Sequence, residues 1–123
     1  MALTKYIKVT NYNRAVEVLN GKDSKRLAHN TYLIDMREHD GSIRVRYYNT
    51  YIVSYYPDYF VLNTDGHDTS TTKQRLNIFT PYNVVIFQKN WQWFVSNNWQ
   101  DREGIEYYDG ITLNYSGEKI GFN

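Results

Sequence analysis

The chain has no cysteine, which excludes disulfide staples, thiolate nucleophiles and Cys-based zinc sites. It also lacks an excess of charge of either sign: 14 basic residues face 13 acidic ones, for a net charge of +1. That balance argues against a protein whose main task is coating duplex nucleic acid. No stretch reaches the roughly 20 apolar residues that a membrane helix needs. Residues Met1 to Lys8 carry two lysines and no apolar run of signal-peptide length, so the expectation is a cytoplasmic protein with no membrane partner. The 7 glycines are scattered at turns and form no G-x-S-x-G elbow, Walker loop or G-x-G-x-x-G. The histidines, His29, His39 and His67, show neither HxH nor HxxxH spacing, so no preorganised metal site is expected.

Aromatic residues, by contrast, are abundant: 13 Tyr, 5 Phe and 3 Trp among 123 residues. Strand propensity explains much of this, because aromatics suit a pleated, half-buried surface. Tyrosine also offers a flat apolar face with a polar tip, and 13 of them exceed what one small core readily hides. Some are expected to line a groove or a subunit contact.

The length suits one domain, residues 1–123, with no repeat, linker or low-complexity run to divide it. The segment Tyr12 to Leu19, followed by Asn20-Gly21, reads as a short helix with a left-handed cap, although Val16 and Val18 at spacing two also allow a strand. The polar stretch from Lys22 to Thr31 reads as loop or a single turn. Tyr32 to Met36 is a strand, His39-Asp40-Gly41-Ser42 a hairpin turn, and Ile43 to Tyr48 an alternating strand. Tyr51 to Tyr56 and Tyr59 to Leu62 follow, separated by Pro57-Asp58, to make a meander. Thr71 or Thr72 is placed as the N-cap of a helix running through Phe79 and stopped by Pro81, with Leu76 and Phe79 facing the core. Val84 to Lys89 and Trp91 to Ser96 form a hairpin around Asn90, and Asn97 to Gly104 a polar loop. Ile105 to Tyr108 and Ile111 to Leu113 flank Asp109-Gly110 as a closing hairpin. The predicted class is α+β, mainly antiparallel meander and hairpins with one or two short helices.

Chemistry is signalled by cations interleaved with small polar groups. Arg26 precedes Asn30; Arg44 and Arg46 share one strand face; Thr71, Thr72, Lys73 and Arg75 mark a helix start, where free N–H groups and the helix dipole favour anions. Arginine matches phosphate oxygens in a forked geometry, and an aromatic face stacks on a base. Capping alone also explains Thr71 and Thr72, and a solvated strand face explains Arg44 and Arg46. Phe79 or Tyr82, beside Pro81, is placed for stacking, with Trp91 and Trp93 as alternatives whose spacing also fits a core. Asp109 is also a candidate ligand-binding residue, while turn chemistry accounts for the same Asp. Asp65, Asp68 and Asp109 cannot be placed close enough from sequence to make a carboxylate-pair hydrolase.

The runs Arg26-Leu27-Ala28-His29-Asn30-Thr31-Tyr32-Leu33, Tyr48-Asn49-Thr50-Tyr51-Ile52-Val53-Ser54-Tyr55 and Thr71-Thr72-Lys73-Gln74-Arg75-Leu76-Asn77 resemble small bacteriophage proteins, and among these the first type of Thoeris anti-defence sponge. That resemblance implies a homo-oligomer in the cytoplasm of the infected bacterial host. It implies a binding protein, not an enzyme, that sequesters a cyclic ADP-ribose-type nucleotide without cleaving it and needs no cofactor. Two other classes stay open: a phage protein–protein inhibitor or virion component using a tyrosine-rich face, and a nucleotide-degrading enzyme.

Overall fold

The computed structural model describes residues 5–98 and 103–120. An alternating strand buries one face, so the sheet's inner surface follows directly from the period-2 pattern. In order, the elements are α1 (Tyr12–Leu19), β1 (Ser24–Ala28), β2 (Thr31–Met36), α2 (Arg37–Asp40), β3 (Ser42–Tyr47), β4 (Thr50–Tyr55) and β5 (Tyr59–Leu62). They continue with α3 (Ser70–Ile78), β6 (Val85–Lys89), β7 (Gln92–Ser96), β8 (Ile105–Glu106) and β9 (Thr112–Asn114). Six strands form one antiparallel sheet in the order β1-β2-β3-β4-β5-β9, and three form a second, β6-β7-β8. The class is α+β, with three short helices among the described residues, α2 being a single turn.

Leu33, Val45, Val53, Leu62, Phe60 and Leu113 line the inner face of the large sheet. Ala15 and Leu19 of α1 and Leu76 of α3 join the same core, as do Ile86, Trp93 and Val95 of the small sheet. Tyr55 is fully buried, and its single hydroxyl proton is shared between the carbonyls of Val9 and Phe79, so the N-terminal segment and the end of α3 are pinned to one strand.

Several expectations needed correction. The stretch from Lys22 to Thr31 contains β1 instead of a loop: Leu27 and Ala28 are buried, while exposed Ser24, Lys25 and Arg26 give it the polar character of an edge strand. The turn expected at His39 to Ser42 begins earlier, as α2. Asp35 accepts the Arg37 amide at 3.0 Å, and Gly41 closes the turn at φ +83°. The α3 cap is Thr69, not Thr71 or Thr72, because Thr69 holds the extended backbone and its Oγ1 accepts the Thr72 N–H at 3.2 Å. Residues 105–113 do not pair with each other: β8 joins β7, whereas β9 crosses to β5. Trp91 occupies the β6–β7 turn at φ +67° and is 93% exposed, so only Trp93 is core. The polar loop expected over residues 97–104 lies partly outside the described residues. The helix reading of residues 12–19 holds, with Asn11 accepting the Arg14 amide and Asn20 ending it at φ +50°.

Candidate functional site

The β3–β4 turn, the loop over residues 63–69 and the start of α3 enclose a cleft of about 450 Å³. Its walls include Tyr47 and Tyr48 on one side and Thr64, His67, Thr69, Thr71 and Thr72 on the other. No lining residue carries a carboxylate. Tyr48 sits at φ +54°, a strained position for an aromatic residue; the residue is 61% exposed, and its ring lies 4.8 Å from that of Tyr47. The Tyr47 hydroxyl donates to Thr71 Oγ1 at 3.2 Å, which joins the sheet wall to the helix start. Of the first amides of α3, that of Thr72 is taken by the Thr69 side chain, and those before it have no intrahelical acceptor, as at any helix N-terminus.

Behind this wall lies Arg75. It is only 6% exposed, and its guanidinium packs 4.1 Å from the Tyr47 ring centroid. Its Nε donates to Thr31 Oγ1 at 3.0 Å, and a terminal nitrogen donates to the His29 carbonyl at 3.4 Å. No carboxylate pairs with it among the described residues. Arg75 thus sets a buried cation without a counter-ion behind one wall of the cleft, whereas on the opposite wall the Thr64 hydroxyl reaches the Asp68 and Asp109 carboxylates.

The residues singled out from sequence separate into several places. Thr71 and Thr72 line the cleft, and Lys73 follows them half-buried on α3, its amide donating to Thr69 O. Arg75 backs the cleft instead of entering it. Asn30, at φ +56° in the β1–β2 turn, accepts the Tyr48 amide through its carbonyl. Phe79 is fully buried, so it cannot stack on a ligand; its ring meets Tyr6 edge-on at 6.0 Å. Tyr82 is 89% exposed beside a separate shallow groove with Tyr6 and Lys8. Arg26, Arg44 and Arg46 lie on the sheet's outer face, where Arg44 is tied to Asp40 by a short ion pair and borders a second cleft shared with Tyr51 and Asp109. Against desolvation, hydrogen bonds from Ser42 and the Arg44 guanidinium hold the Asp40 carboxyl at about 2.

Asp109 proves to be a loop anchor. Its carboxylate accepts from Thr64 N at 2.8 Å, Thr64 Oγ1 at 3.0 Å, Gly66 N at 3.3 Å and the Tyr107 hydroxyl at 2.9 Å. Desolvation raises its pKa, but these donors outweigh it and hold the carboxyl below its ordinary value. The depressed folded pKa means that this stabilisation is present above the unfolded carboxylate value, near 3.9, and fades as pH falls through the lower folded value. Asp109→Ala is expected to cost about 1–2 kcal/mol at neutral pH, because the amide of buried Thr64 loses its acceptor while the Thr64 hydroxyl keeps Asp68. Urea denaturation at pH 7 and pH 3 checks this; the difference between variant and parent should shrink at pH 3.

Tyr47, Tyr48, Thr64 and His67 were missed by sequence reasoning. The gap between the strands expected to end at Tyr48 and to begin at Tyr51 marked the turn, but nothing local indicated that it folds against a loop and a helix start. Among the described residues no His, Asp and Glu cluster could hold a metal ion, and no helix is long and apolar enough to cross a membrane.

No curated protein and no solved structure gives a significant match to this chain. The model of one family, described as Kyanoviridae Gp96 protein, matches residues 8–114. The match agrees with the bacteriophage character that the sequence resemblance implied, and it carries no link to Thoeris sponges. Spanning most of the chain and both sheets, it places this protein in the Kyanoviridae Gp96 family of phage proteins.

Proposed function

We propose that this chain is a phage counter-defence binding protein that sequesters a small phosphorylated nucleotide, of the cyclic ADP-ribose type, without cleaving it. The observation that carries the reading is a carboxylate-free cleft at the start of α3, backed by the buried, unpaired charge of Arg75. Its volume, about 450 Å³, falls within the range of small-molecule sites. Helix amides and threonine hydroxyls suit phosphate oxygens, and the exposed ring of Tyr48 suits a base. Sequestration calls for affinity and no transition-state complementarity. In this reading the protein acts as a homo-oligomer and uses no cofactor.

Calorimetric titration with cyclic ADP-ribose isomers tests the proposal, followed by mass spectrometry of nucleotide freed by heating. Uptake and recovery of intact nucleotide are expected. Tyr48→Asn keeps a residue that tolerates the left-handed backbone and removes the ring; affinity should fall about tenfold, as for one lost base stack, with the melting temperature unchanged. Absence of binding by every isomer would overturn the reading, and recovery of hydrolysed product would replace it with an enzyme.

A further inference from the structure

The outer face of the large sheet is built differently from the inner one. Register places Arg26 of β1 opposite Tyr32 of β2, Tyr32 opposite Arg46 of β3, and Arg46 opposite Tyr51 of β4. Residues paired across antiparallel strands share a face, so these four side chains form one row, cation and ring alternating. At the usual spacing of strands the row is about 14 Å long. The Arg46 guanidinium lies 5.4 Å from the Tyr32 ring centroid, and Arg44 lies 5.2 Å from that of Tyr51. The helices contribute to the opposite side: Ala15, Leu19, Leu76 and Phe79 all pack in the core with Leu33 and Val45.

The charges on this face are unequal in their commitments. Arg44 is neutralised by Asp40. Arg26 and Arg46 take part in no ion pair among the described residues, and Arg46 Nε has no hydrogen-bond partner. A β-bulge between Val45 and Arg46 resets the register there, which leaves Tyr51 beside both Arg44 and Arg46.

We infer that this face is a platform for single-stranded nucleic acid. Its Tyr32 and Tyr51 rings stack on bases, while Arg26 and Arg46 hold the flanking phosphates. An open sheet with ring and guanidinium in alternation suits a flexible polyanion whose bases are unpaired. A duplex would present its phosphates on a convex surface and hide its bases from those rings. Charge favours nucleic acid over a protein partner at the Arg26–Tyr32–Arg46 part of the row, because charged residues are depleted at the centre of protein interfaces; the Tyr51 end borders the Asp65 and Asp109 carboxylates and contributes its ring alone. The platform is separate from the cleft: Tyr47 follows Arg46 by one residue and so points to the other face.

Fluorescence anisotropy with a labelled oligothymidylate of about 12 nucleotides tests the inference. The parent protein is expected to bind with a dissociation constant in the micromolar range and a log–log salt slope of about −1.4 for two phosphate contacts. The double variant Arg26→Gln/Arg46→Gln should lose at least about tenfold in affinity and most of that slope, with its melting temperature kept. Tyr32→Leu provides a second arm, expected to weaken binding several-fold through stacking alone. Tyr48→Asn, in the cleft, should leave oligonucleotide binding unchanged. No anisotropy change up to about 100 µM protein, the weak end of non-specific binding, would overturn the inference. Equal binding by the double variant would do the same. So would a self-associated parent that the double variant dissociates without any effect of oligonucleotide, because the row would then be a contact between copies.

Discussion

Phe79→Ala is expected to destabilise the fold by about 3–5 kcal/mol, the range for removing a buried phenyl ring from a core. The reason lies in where α3 ends. Phe79 caps the helix, with its amide donating to the Arg75 carbonyl at 3.0 Å, and its own carbonyl receives the buried Tyr55 hydroxyl. The ring is fully enclosed. Truncation leaves a cavity that the surrounding β-strands cannot collapse to fill. Thermal unfolding followed by circular dichroism should show a fall of roughly 10 °C or more for a chain of this size. A shift under about 2 °C would mean that the ring is not in the core. The sequence offered two roles for this residue, core contact and ligand stacking, and this experiment tells them apart.

Arg75→Ala should cost about 2–4 kcal/mol, combining the loss of hydrogen bonds made by a charged donor with the loss of packing along its stem. The guanidinium joins three pieces of chain: α3, the β1–β2 turn through the His29 carbonyl, and β2 through Thr31. Its contact with Tyr47 adds a fourth. Arg75→Met fills the same volume without burying a charge and should lose less than Arg75→Ala, since a buried cation without a counter-ion carries its own desolvation cost. Urea denaturation measures both; the midpoints should fall in that order with little change in slope. Equal loss in the two variants would show that the polar contacts, and not the packing, carry the effect. A stability loss of this size also means that nucleotide affinity of Arg75→Ala has to be measured well below its unfolding temperature, so that lost binding is not confused with lost fold.

How legible the fold was depended on the range of the interactions involved. The meander from Tyr32 to Leu62 was readable because alternation of apolar and polar residues and the turn at Pro57-Asp58 are local signals. β1 was hidden because an edge strand needs few apolar residues, and its exposed Ser24, Lys25 and Arg26 look like a loop. The split of residues 105–113 between two sheets was hidden for a different reason. Asp109-Gly110 has the composition of a tight hairpin, but its carboxylate is occupied by Thr64 and Gly66, 45 and 43 residues away in sequence. Those contacts turn the chain from the small sheet into the large one, and no local pattern reports them.

The same distinction holds for the candidate site. Thr71, Thr72 and Arg75 were recognisable as a helix start with cationic character, but one residue type at one spacing cannot say whether a guanidinium faces a ligand or the core. Packing decided that: the i+4 position after Thr71 falls on the buried side of α3, against Tyr47 and Thr31.

The amino-acid order by itself determined an α+β chain of short antiparallel strands, free of disulfides and rich in tyrosine, because propensity and period-2 patterning act between near neighbours. The tertiary structure alone decided which arginines are buried, which are paired and which stand open beside rings. Those outcomes depend on strand register and on contacts between residues far apart in sequence, where a shift of one position sends a side chain to the opposite face.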